Sequence, residues 1–327
     1  MPDATPQKRW IGFDLGGTKM QCTLFDDSMK RVADRRKRTK GELGVESNLE
    51  RIAGSIEKLL EEQEVPLSAL AGIGIGCPGP VEWERGVVRI AVNLGWKNVA
   101  VGPYLEDKFQ CPVSVLNDVD AGVYGEHIAG AGQGSRTTYG LFPGTGIGGG
   151  CVYDGQILRG RVVSCMEAGH VKICSSERRG ATGMTGTLET EASRLAISGE
   201  LAKLAFRGEA PNLHKEIGTE LGAIRSKVIA EAIEKGDKEV EKVVRDACRI
   251  IGYSVANAVL MLCPDCIVLG GGLVEAMPDL FVKQVAEVAR EHVFECYQDE
   301  FVVKAATLGD DAATVGAASW AQKTQRS

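Results

Sequence analysis

The sequence predicts an α/β protein built from two related halves, and three observations predict it. Apolar runs of strand length are interleaved with stretches whose apolar residues recur at helical spacing. Each half carries a glycine-rich loop between two strand-like runs. The two loop regions, "GFDLGGTKMQCTLFD" and "GLFPGTGIGGGCVYD", resemble one another weakly at a separation of roughly 130 residues, the mark of an internal repeat. Two related halves imply a cleft between them.

In chain order, Ile11, Phe13 and Leu15 alternate with small or polar neighbours, and Met20, Cys22 and Leu24 do so after the first loop. That pattern is a β-hairpin. "ESNLERIAGSIEKLLEEQ" places Leu49, Ile52, Ile56, Leu59 and Leu60 on one helical face, and "ALAGIGIG" follows as a buried strand. A second buried strand, "PVSVL", leads into "NDVDAGVYGEHIAGAG", whose small residues suit a helix packed closely on a neighbour. "TYGLFPGTGIGGGCVYDGQIL" is again strand, loop, strand. Helices are expected around 188–206, 213–235 and 238–262. "CIVLGGGLVE" is a buried strand ending in three glycines, and "DLFVKQVAEVAREHVF" and "AATVGAASWAQK" supply further helices. No Pro/Ser-rich linker separates the halves, so the chain is free to cross between them more than once.

The chain has 327 residues, 44% of them hydrophobic and 25% charged, which is the composition of a soluble globular protein. Its formal net charge of −6 argues against nucleic acid or an anionic membrane as partner. The short "MPDATPQKR" before the first apolar run leaves no expected signal peptide and no added DNA-binding domain, and no run of about 18 apolar residues follows. Ten cysteines are scattered without a disulfide framework, as reduced thiols of a cytoplasmic protein would be. The basic run "KRVADRRKRTK" is a solvated strand-and-loop surface or, alternatively, a patch for a polyanion such as polyphosphate.

"GGTK" lacks the length of a Walker A loop and opens a strand rather than a helix. "GTGIGG" satisfies G-x-G-x-x-G but also leads into a strand, which disfavours a dinucleotide site. What both loops offer is bare backbone N–H for an anion, with the Thr18 and Thr145 hydroxyls as further donors. Asp14, just before the first loop, suits a Mg²⁺ ion held directly or through water; the alternative is a carboxylate that caps the turn. Asp118 falls at the carboxyl end of a buried strand, where open α/β sheets place ligands, and is the candidate base for an attacking hydroxyl. Asn117 beside it suits orienting that hydroxyl, although an Asn-Asp pair is also a frequent helix cap. Glu167, His170 and Glu189 offer acceptors and a donor for a polyhydroxylated ligand, though a histidine taken singly is more often structural.

Eight stretches in order resemble the ROK group of bacterial sugar kinases and repressors: "FDLGGTK", "GCPGPVE", "VNLGWKN", "VLNDVDA", "PGTGIGGG", "EAGH", "IVLGGG" and "ATVGAA". The resemblance covers nearly the whole chain. It implies a two-domain actin-like ATPase fold, a duplicated ribonuclease H-like unit with an interdomain cleft. On that pattern residues 8–118 form a small domain completed by a C-terminal helix at 311–326, and 119–310 form a large one. ATP with Mg²⁺ would be held by Asp14, Gly16, Gly17, Thr18 and Lys19 and by Gly144, Thr145 and Gly146. Gly270, Gly271 and Gly272 would lie near the adenosine. Asp118 would be the base on the sugar hydroxyl, usually the 6-hydroxyl, with Asn117, Glu167, His170 and Glu189 on the others. Members are typically cytoplasmic dimers or tetramers.

The family usually continues from its histidine into C-x-C-G-x-x-G-C-L-E, three thiolates that bind a structural Zn²⁺ with that histidine. Here Gly180, Thr182 and Thr187 occupy those places, and they cannot supply thiolates. Cys165 and Cys174 do not have the right spacing, and Cys263 and Cys266 are a lone C-x-x-C pair. The expectation is therefore a zinc-free hexose kinase acting first on glucose at O6. The alternatives are an N-acetylmannosamine, N-acetylglucosamine or fructose kinase, a glucokinase that uses polyphosphate, and a non-catalytic sugar sensor.

Overall fold

The computed structural model describes residues 7–326. The chain opens with β1 (Arg9–Leu15), β2 (Lys19–Asp26) and β3 (Arg31–Arg38), followed by α1 (Val45–Glu62) and β4 (Leu70–Cys77). Three short strands, β5 (Val81–Glu82), β6 (Val87–Ala91) and β7 (Trp96–Ala100), precede α2 (Val101–Phe109), β8 (Val113–Asn117) and α3 (Asp118–Ala129). Then come β9 (Thr137–Pro143), β10 (Ile147–Tyr153), the two-residue β11 (Gln156–Ile157), α4 (Leu188–Ala192) and α5 (Arg194–Phe206). The helices α6 (Pro211–Ile217), α7 (Ser226–Glu234) and α8 (Lys238–Leu262) lead to β12 (Cys266–Leu269). The chain closes with α9 (Gly272–Ala276), α10 (Pro278–Glu291), β13 (Val302–Ala305) and α11 (Ala312–Arg326).

These elements form two compact units. Among the described residues the first takes those up to Gln133, then Gln156–Cys165 and residues 310–326; the second takes Gly134–Gly155 and Met166–Gly309. The first unit's main sheet has the order β3-β2-β1-β4-β8, with β1, β4 and β8 parallel, and β5-β6-β7 form a smaller antiparallel sheet. The second unit repeats the scheme as β10-β9-β12-β13: an antiparallel hairpin whose first strand is extended by two parallel ones. The weak repeat seen in the sequence is thus a repeat of topology.

The alternation along β1 sorts its side chains onto two faces, as a period of two requires. Ile11, Phe13 and Leu15 are buried with Ile52, Ile56, Leu59 and Leu60 of α1, whereas Trp10 and Phe25 pack with Ala318 and Ala321 of α11. On that second face β1 and β4 have glycines because α11 lies almost on their backbone. A Cβ at Gly12 would stand 2.0 Å from the Thr314 carbonyl oxygen, and one at Gly74 would stand 1.9 Å from that of Ala317.

Three expectations meet a different structure. The first unit runs fifteen residues past 118, to Gln133, because α3 packs backbone to backbone on α11: a Cβ at Gly316 would stand 1.8 Å from the Ala121 carbonyl oxygen. The helix expected at 188–206 is two helices, since Ser193 is extended and its hydroxyl accepts from the Ala196 N–H to start α5 afresh. The helix expected at 213–235 is also divided, because Gly218 ends α6 at a φ of 60° and α7 begins only at Ser226.

The basic run falls on the edge strand β3, where acids answer it. Arg31 pairs with Asp34 and, at 2.8 Å, with Asp311; Arg36 pairs with Asp310 at 3.1 Å; Arg35 pairs with Glu62. Arg31, Arg35 and Arg36 thus sit in ion pairs on the solvated edge of a sheet.

Where family members are expected to carry zinc thiolates, Thr187 caps α4. Its hydroxyl accepts from the Thr190 N–H, and the Thr190 hydroxyl accepts from the Thr187 N–H. The preceding loop is held by backbone pairing, Lys172 with Thr187 and Arg179 with Thr185, and by Arg178, which reaches Glu200 at 2.7 Å. Hydrogen bonds and an ion pair thus order the loop between 174 and 188.

Candidate active site

The first unit gathers Asp14, Asn117 and Asp118 at the carboxyl ends of its parallel strands. Asp14 lies opposite Gly76 of β4, which lies opposite Leu116 of β8, immediately before Asn117 and Asp118. Adjacent strands about 4.8 Å apart place these groups along one sheet edge. Asp14 is partly buried and makes no side-chain hydrogen bond among the described residues. Burial pushes it up to about 6; Lys19 opposes the rise and Asp310 adds to it. Between the strand ends, burial pushes the Cys77 thiol well above its ordinary value, helped by the Asp118 and Asp14 carboxylates.

The capping question is settled in favour of Asn117. Its Oδ1 accepts from the N–H groups of Val119 and Asp120, at 2.9 and 3.1 Å, and its Nδ2 donates to the Gly79 carbonyl at 3.1 Å. Asp118 is the first residue of α3, and its Oδ1 accepts from the Val119 N–H at 2.9 Å. Asn117 therefore fixes the helix start from which Asp118 projects.

The hairpin between β1 and β2 is braced by residues the sequence did not single out. Thr39 donates its hydroxyl to the Gly16 carbonyl at 2.6 Å and its N–H to the Thr18 carbonyl at 2.9 Å. Asn93 closes on Gly17, where a Cβ would stand 2.5 Å from its Nδ2. Lys19, expected on a phosphate, pairs with Asp310 in the turn that precedes α11.

In the second unit Gly144, Thr145 and Gly146 connect β9 to β10, and the Gly144 N–H donates to the Gly146 carbonyl at 2.8 Å. Glu189 of α4 accepts from the Ile147 N–H at 2.9 Å, so close that a Cβ at Gly146 would stand 2.2 Å from its carboxylate. One of its oxygens thus braces the loop. Glu167 and His170 flank a short turn packed on β10, and the three residues come together electrostatically. Burial pushes Glu167 above the usual carboxylate range, His170 opposes this, and Glu189 adds to it. Gly270 and Gly271 lie against Phe142 and Pro143 at the end of β9, beside the same loop, with Gly272 opening α9. The sequence also passed over Arg194, which donates to Thr145 Oγ1 from 49 residues away.

A duplicated sheet with a glycine hairpin in each half defines the actin-like class of phosphotransferase folds. Residues 10–324 match the ROK family, and the chain belongs to that family. It is 30% identical over 322 residues to the glucokinase of Halalkalibacterium halodurans, covering 97% of this chain and 96% of that one. It is 31% identical over 315 residues to the glucokinase of Thermotoga maritima, covering 96% and 97%. A ROK family glucokinase from Streptomyces griseus, solved in complex with glucose and AMPPNP, superposes with a TM-score of 0.84 at 27% identity over 96% of this chain and 99% of that one.

Proposed function

We propose that the chain is an ATP-dependent sugar kinase that phosphorylates glucose at the 6-hydroxyl. The observation that carries this reading is an asymmetry within the duplication. Both halves end in a glycine hairpin, but the repeat sets Asp14 against Phe142, and β8 leads into Asp118 whereas β13 leads into Ala306, Thr307 and Leu308. The anion-binding backbone is present twice and the chemistry-bearing acids once, as a single transfer between one donor and one acceptor requires. Whole-length similarity to glucokinases supports glucose as the acceptor.

Asp118 positions the hydroxyl and takes its proton as the sugar oxygen bonds to the terminal phosphorus. The bond from that phosphorus to the bridging oxygen breaks, and ADP leaves with the electron pair. Backbone N–H groups of the two hairpins bind the phosphates, and Glu167 and His170 bind sugar hydroxyls. Asp14, a carboxylate without a hydrogen bond among the described residues, fits a hard cation. Mg²⁺ held there would neutralise charge on the donor's phosphates. The protein acts in the cytoplasm as a homodimer or homotetramer; no helix among the described residues is long and apolar enough to cross a membrane.

Coupled turnover with MgATP against glucose, fructose, mannose, N-acetylglucosamine and N-acetylmannosamine, repeated with polyphosphate as donor, is expected to select glucose and ATP. A preference for an N-acetylhexosamine would reassign the acceptor, and silence with sugar binding intact would make the protein a sensor. Elemental analysis after dialysis is expected to find no stoichiometric zinc; one equivalent per chain would contradict the reading of the 174–188 loop.

A further inference from the structure

The second hairpin lies beside more positive charge than its own sequence carries. Arg194 opens α5, and its N–H donates to the Gly144 carbonyl at 2.9 Å. Its side chain spans the loop: Nη2 donates to Thr145 Oγ1 at 2.7 Å and Nη1 to the Ile224 carbonyl at 3.3 Å. Ser198 of the same helix donates its hydroxyl to that carbonyl at 3.0 Å, which fixes the segment carrying Arg225. The two guanidiniums are near enough to repel, since burial and Arg225 together hold Arg194 below its ordinary value. Neither arginine has an acid partner among the described residues.

Two neighbouring cations without an acid between them are unfavourable until an anion shares them. On β3, Arg31 and Arg36 each have an acid to share. Here the pair is left beside a loop of glycine N–H groups. Thr145 Oγ1 accepts from Arg194, so its proton is available to donate onward, and a phosphate oxygen is the acceptor that completes the relay.

We infer that Arg194 and Arg225 grip the phosphate chain of the donor at the second hairpin, Arg194 acting in part through Thr145. The inference rests on the kinase reading above and adds two residues to its donor site. It assigns recognition of the phosphate chain, rather than of the adenosine, to this pair. ATP and inorganic polyphosphate share that chemistry, so the test separates them.

Calorimetry on the full chain would measure ATP, adenosine and inorganic tripolyphosphate against the wild type and the Arg194→Ala, Arg194→Lys and Arg225→Ala variants. In Arg194→Ala, ATP and tripolyphosphate are expected to bind about tenfold more weakly, the scale of a lost charge-assisted contact, with adenosine unchanged. Arg194→Lys is expected to recover only part of the loss, because an ammonium cannot bond Thr145 and a phosphate as a guanidinium fork does. Arg225→Ala alters an exposed side chain and leaves the hairpin braces in place; a loss of about threefold for both phosphate ligands is expected. Unchanged ATP affinity in both alanine variants would overturn the inference, as would adenosine weakening in step with ATP, the signature of a structural role. A wild type that binds neither ATP nor tripolyphosphate would also overturn it. Arginine-dependent tripolyphosphate binding without sugar-dependent turnover would support the pair while refuting the kinase reading.

Discussion

Replacing Asp118 with Asn is expected to cut glucose-dependent ATP turnover by about 10²- to 10⁴-fold, the contribution of a positioned general base. Calorimetric glucose affinity is expected to stay within about threefold, because the lost function is proton acceptance in the transition state rather than ground-state binding. The substitution is clean for a structural reason. Asn117, not Asp118, caps α3, and the Asp118 contact to the Val119 N–H can be reproduced by an amide oxygen. Circular dichroism and melting temperature should therefore match the wild type. Turnover within tenfold of the wild type would move the base elsewhere. Asn117→Ala offers the contrast: it removes the cap, and is expected to cost about 1 kcal/mol of stability.

The same neighbouring pair shows what the sequence could reveal of the site. An Asn-Asp dipeptide after an apolar run announces both a helix start and a polar group at a strand's end, but not which residue does which. That division depends on the Gly79 carbonyl, which takes the Asn117 amide and so commits its oxygen to the cap. The two hairpins were legible because alternation and glycine are local signals, whereas the order of the parallel strands beside them has no local signal. Arg194 and Asn93 were not legible as parts of the loops: each reaches its hairpin by tertiary packing, which has no sequence period. The Lys19 ion pair was hidden for the related reason that its partner, Asp310, lies 291 residues away. The small sheet of β5, β6 and β7 went unread because its strands are short and lie among turns.

Asp14→Asn is expected to make the ligand-free protein more stable and the enzyme less active. The folded Asp14 carboxyl has a pKa of about 6 against an ordinary 3.8, chiefly from burial, so the folded chain holds this proton more tightly than the unfolded chain. Below about pH 4 both states are protonated and the group is neutral to stability. As pH rises from about 4 to 6 the unfolded chain releases the proton first, stability falls, and the full cost persists above about 6. An amide has no such charge, so at neutral pH the variant should gain about 1–3 kcal/mol, a rise of several degrees in melting temperature, with no gain near pH 4. Without its carboxylate the site loses its hard oxygen donor for Mg²⁺, and MgATP-dependent turnover should fall by about 10- to 100-fold. Equal stability at pH 7 would show that Asp14 is not a strained charge. Equal turnover would show that the cation, if one is used, is held elsewhere. A group kept charged against its own surroundings, at the end of a strand where ligands collect, carries a cost that a bound cation would offset during turnover.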